Sequence, residues 1–73
     1  MTESINGHAL SPTEERILRM LATTGATNKE IARECGITEG TVKVHLKAIV
    51  RKLGVKNRTQ MVIWALSHGE VRP

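Results

Sequence analysis

This 73-residue chain has no phenylalanine, no tyrosine and a single tryptophan, Trp64. Proteins that bind single strands, and many that bind RNA, stack bases on exposed aromatic rings. The chain can hardly work that way. Aspartate is absent too, and no Ser/His/Asp grouping or glycine-rich phosphate loop is present. No enzymatic activity is expected. The single cysteine, Cys35, excludes an internal disulfide and fits a reducing cytosol. His8, His45 and His68 are far apart, and no Cys/His spacing resembles a zinc site, so neither metal nor cofactor is expected. No apolar run approaches the ~20 residues of a membrane span. The opening MTESINGHAL lacks the basic and apolar segments of a signal peptide. Together these absences predict a cytoplasmic protein without membrane contact. No internal repeat or low-complexity tract is visible.

What remains is small and basic. The length suits one domain with a marginal core. The formal net charge of +4 favours an acidic partner. The charge is also polarised. Five of the seven acids lie in residues 1–34, whereas Thr41 to Arg58 holds six Lys/Arg and no acid. With stacking residues missing, duplex nucleic acid is the favoured acidic partner.

Local signals divide the chain into four helices. Residues 1–9 are polar and read as a flexible tail or linker, leaving a domain over 10–70. Ser11 caps a first helix over about 12–22, with Pro12 at its first position and Glu14 completing a capping box. Ile17, Leu18 and Leu21 follow at helical spacing. TTGAT makes the turn. Thr27 and Glu30 form a second capping box, Ile31, Ala32 and Cys35 make an apolar face, and Gly36 ends a helix over 28–35.

The segment TVKVHLK alternates like a half-buried strand. The unbroken run from Glu39 to Leu53 is too long for an ordinary strand of ~5–6 residues. The alternation also fails at Ala48, Ile49 and Val50. At the helical period, Val42, Leu46, Ile49 and Leu53 fall within about 60° of one another. A third helix over 39–53 follows, with Thr38 as its cap and Gly54 as its stop. Asn57 caps a fourth over 58–68, with Gln60 three residues on and Gly69 as its stop. The predicted fold is all-α: a compact four-helix domain. Helices 2 and 3 are joined by a two- or three-residue turn containing glycine, which is helix-turn-helix geometry, spanning about 28–47.

The third helix carries the basic run on its outer side. Lys47, Arg51 and Val44 fall opposite the core stripe, Lys43 lies to one side, and Gly40 shares the outer face. A solvated face is the ordinary reading of a basic helix. Here, though, no acid lies at i±4 after Glu39 to pair with these cations. Val44 also projects among the lysines, where it suits contact with a thymine methyl. Lys43 and Lys47, one turn apart, can reach guanine edges or phosphates. Thr27, Asn28 and Lys29 stand at a helix N-terminus, where free N–H groups favour anions. Thr41, Arg51 and Arg58 complete the candidate phosphate contacts. On helix 4, Met61, Val62 and Ala65 can face the core. That leaves Ile63, Trp64 and Leu66 as an apolar surface large for a monomer. The competing class is a helical protein–protein adaptor using helix 4 and its basic neighbour.

The segments LSPTEERIL, TNKEIA, ITEGTVKVH and KLGVKNR stand in the order found in one family. The chain resembles, over about residues 10–69, the LuxR-type (NarL/FixJ, GerE) helix-turn-helix domain of bacterial transcription regulators. The resemblance implies a recognition helix, residues 39–53, in the major groove, with Lys43, Val44 and Lys47 at base edges. It implies dimerisation on two half-sites through helix 4, with Thr59, Ile63, Trp64 and Leu66 as the interface. Expected partners are therefore double-stranded DNA, a second copy of the chain and RNA polymerase. Three positions depart from the family pattern. Gly40 replaces a larger residue, Cys35 stands where leucine is common, and Trp64 is bulkier than usual.

Overall fold

The computed structural model describes residues 10–68. The expectations for residues 1–9 and for Gly69 lie outside them. Within the described residues the chain forms four helices and no strand: α1 Pro12–Thr24, α2 Asn28–Cys35, α3 Glu39–Leu53 and α4 Arg58–Ser67. The segment TVKVHLK is helical throughout. None of these helices is long and apolar enough to cross a membrane.

Helix starts follow the local capping chemistry. The Ser11 hydroxyl accepts from the Glu14 N–H at 3.1 Å, and the Glu14 carboxylate accepts from the Ser11 N–H at 2.9 Å. Thr27 and Glu30 repeat this exchange at α2. Thr38 accepts from the Thr41 N–H, and Asn57 from the Gln60 N–H. Each cap satisfies amides that the first turn leaves unpaired. Gln60 completes no reciprocal box, because its side-chain oxygen accepts from the Lys56 N–H instead.

Helix ends follow less closely. α1 runs two residues beyond the expected 22, and only Gly25, with φ of 64°, stops it. Thr23 and Thr24 were expected in the turn. Both are instead helical, and their hydroxyls donate to the carbonyls of Arg19 and Met20, four residues back. α4 ends at Ser67 with His68 as its cap.

The core is one cluster fed by all four helices. Ile17, Leu18, Ile31, Val42, Ile49 and Met61 are its largest fully buried members. Burying each such side chain contributes about 1.5–3 kcal/mol. α1 packs mainly on α4, and α2 mainly on α3. The α3 stripe is as the spacing requires for Val42, Ile49 and Leu53, while Leu46 is half-buried at the edge. Cys35 is likewise half-buried against the core.

Candidate nucleic-acid interface

The outer face of α3 carries cations around one exposed aliphatic residue. Lys43, Lys47 and Arg51 are exposed, and Val44 is 65% exposed, the most open of the large apolar residues. An isolated exposed valine is unremarkable in itself. Here the same helix buries Val42 completely two residues earlier, so Val44 faces outward because of the helical period.

Not every cation of the basic run is free to meet an anion. Lys52 donates to Glu14 at 2.8 Å, the only ion pair among the described residues. Glu14 is a buried residue, 5% exposed, and it shares its Oε1 between Lys52 and the Ser11 N–H. Burial pushes the Glu14 carboxyl up. The hydrogen bonds from Lys52 and Ser11, with the charges of Lys52 and His45, outweigh that and hold it below its ordinary value. In the sequence Glu14 reads as a cap alone and Lys52 as part of an unpaired run. The pair instead ties the recognition-helix candidate to α1. A signal was present. Glu14 lies three, four and seven residues before Ile17, Leu18 and Leu21, on the core stripe itself. A charge in that position calls for a buried partner.

Arg58 is also engaged. One guanidinium nitrogen donates to Asn28 Oδ1 at 2.6 Å, and the other to the Ala26 carbonyl at 2.6 Å. These bonds bring the start of α4 against the start of α2. The phosphate candidates Thr27, Asn28 and Lys29 therefore lie beside Arg58. At α2 the capping box occupies the amides of Thr27 and Glu30, and Ile31 N–H bonds to Thr27 O. No bond within the described residues ties up the amides of Asn28 and Lys29. At α3 the Thr41 hydroxyl meets that of Thr38 at 2.9 Å, as part of the cap.

Gly40, in the first turn of α3, has no structural need to be glycine. A Cβ added there meets only Thr38 Oγ1, at 3.8 Å.

The four α4 positions expected to form an interface divide in two. Thr59, Ile63 and Leu66 are exposed, the last two by 55% and 53%. They lie within about 60° on the side away from buried Met61 and Ala65. Thr59 and Ile63 continue into a shallow groove with Leu21, Gly25 and Val62. Trp64 is turned away from that face. It packs half-buried against the core and stacks on His68, with ring centroids 3.9 Å apart. The His68 ring also meets the Trp64 carbonyl at 2.9 Å.

Residues 8–65 match the family model described as bacterial regulatory proteins, luxR family. Curated relatives match over most of the chain. The CsgBAC operon transcriptional regulatory protein of Escherichia coli is 52% identical over 77% of this chain and 26% of its own length. The nitrate/nitrite response regulator protein NarL of E. coli is 46% identical over 75% of this chain and 25% of its own. The transcriptional regulatory protein LnrK of Bacillus subtilis is 47% identical over 75% and 26%. The chain thus spans about a quarter of the length of these relatives.

Proposed function

The chain belongs to the luxR family of bacterial regulatory proteins, and on that footing we propose that it is a sequence-specific duplex-DNA-binding domain of a transcription regulator. α3 enters the major groove. Lys43 and Lys47 donate to guanine edges, and Val44 contacts a thymine methyl. Thr27, Asn28, Lys29, Thr41 and Arg51 face phosphates and set the register. The observation that carries this reading is the outer face of α3: three exposed cations without an acidic partner among the described residues, around an exposed valine.

The domain acts as a dimer through Thr59, Ile63 and Leu66 of α4, with Trp64 bordering the contact from its packed position. Size supports this arrangement. One domain measures 28 × 25 × 21 Å. Recognition helices one turn of DNA apart need ~34 Å, which two neighbouring domains span and one does not. RNA polymerase is the further partner proposed for the assembled regulator.

Titration of duplex binding against salt tests the reading. Several neutralised phosphates make affinity fall steeply, with a slope near −0.9 per contact. Absent or salt-indifferent duplex binding refutes it. Lys47→Ala and Val44→Ala should erode discrimination between sites by about 1–3 kcal/mol each. Equal losses on every sequence would refute the assignment of these residues to base readout.

A further inference from the structure

Arg58 bears the charge expected of a phosphate ligand, yet two of its guanidinium nitrogens are already engaged within the fold. Its two bonds, both 2.6 Å, reach across the fold to Asn28 Oδ1 and the Ala26 carbonyl. Both are short charge-assisted contacts, and the planar fork suits two acceptors at once. A guanidinium has donors only, so the atom of Asn28 that it touches is the oxygen. The consequence falls on the other half of the amide. With Oδ1 held by Arg58, the two Nδ2 hydrogens have no partner among the described residues, at the same helix end as the unbonded amides of Asn28 and Lys29. Without Arg58 nothing within the described residues selects between the two amide orientations. With about three χ1 wells and two amide orientations open to it, only about one Asn28 pose in six would then keep the donor toward an incoming phosphate.

We infer that Arg58 is a positioning residue: it orients Asn28 as a donor to the DNA backbone and does not itself bind a phosphate. This rests on the duplex-binding reading above. It also joins the base of α4, the proposed dimer helix, to the backbone-facing end of α2.

The test uses the full chain and a labelled mixed-sequence duplex of about 30 base pairs, enough for two half-sites. Binding is followed by fluorescence anisotropy across salt concentrations. Thermal melts ensure that each variant is folded at the assay temperature. Asn28→Ala should weaken binding about tenfold, the worth of one charge-assisted hydrogen bond, and Arg58→Ala about sixfold, the loss expected when one Asn28 pose in about six is competent. Adding Asn28→Ala to Arg58→Ala should change affinity by less than about threefold, because Asn28 is already unoriented. The salt slope of Arg58→Ala should equal that of the wild type, since no phosphate contact by a cation is lost. Arg58→Lys keeps the charge but not the fork, and it should bind nearly as weakly as Arg58→Ala.

A salt slope reduced by about one, additive losses of about sixtyfold, or full affinity in Arg58→Lys would overturn the inference. In all three cases the wild type still binds duplex, so the broader reading stands. Wild-type protein that fails to bind duplex would overturn both.

Discussion

Replacing the buried Glu14 with alanine should do more damage than a change at any exposed charge. Two bonds are lost. One is the reciprocal half of the α1 capping box, from Ser11 N–H at 2.9 Å; the other is the Lys52 contact at 2.8 Å. The Ser11 hydroxyl still caps, so the first loss costs about 0.5–1 kcal/mol. The second is a charge-assisted bond to a buried carboxylate, for which about 1.5–3 kcal/mol is usual. Lys52 is 32% exposed and regains water when freed, so the lower part of that range applies. The sum is about 2–3 kcal/mol. A domain this size has roughly 4–11 kcal/mol in total, and each kcal/mol moves Tm by about 4–8 °C. Thermal melts by circular dichroism should thus show a fall of about 10–20 °C.

The pH dependence is a second reading of the same group. The native Glu14 carboxyl lies below its ordinary value. Its contribution is therefore complete above the ordinary glutamate range and is lost as pH falls through the native value. Glu14→Gln keeps an acceptor for Ser11 but has nothing to titrate, so part of the acid-side loss of stability should vanish. A Glu14→Ala cost under about 0.5 kcal/mol, or an unaltered acid limb in Glu14→Gln, would refute the claim that this pair anchors α3 to α1.

Three further outcomes are expected. Gly40→Ala should raise Tm, with a gain of up to about 1 kcal/mol from helix propensity, because the added Cβ finds space; a lower Tm would show a contact that the geometry does not contain. Ile63→Glu with Leu66→Glu should leave the melt within about 0.5 kcal/mol, since both side chains are more than half exposed. The same pair should abolish self-association in sedimentation velocity and the second step of binding to a two-site duplex; a variant that still dimerises excludes this face of α4. Ile49→Ala, at a fully buried position, should cost about 2–5 kcal/mol and leave much of the chain unfolded at 37 °C; a cost below about 1 kcal/mol would mean that the core is looser than the complete burial of Ile49 implies.

The sequence by itself determined the helices and their starts. Ser11, Thr27, Thr38 and Asn57 each bond an amide three residues on, within one turn, so the chemistry and its position are both written locally. The same holds for the separation of Val42 from Val44, because the period alone puts one inside and the other out. Local rules also governed where helices stop, but two signals competed at α1. The left-handed Gly25 stopped it, with Thr23 and Thr24 still inside the helix, past the start of the turn that composition suggested. Tertiary structure alone decided which cations remain available. Lys52 meets Glu14 across 38 residues, and Arg58 meets Asn28 across 30. Neither spacing belongs to any helical period, so a scan for acids at i±4 passes over both. Trp64 was settled in the same way, by the neighbours that α4 brings to it and by a ring at His68. A side chain's partners within one turn follow from the backbone period. Partners across the fold follow only from how the helices pack, and here that packing divides the basic run into residues that face outward and residues that hold the domain together.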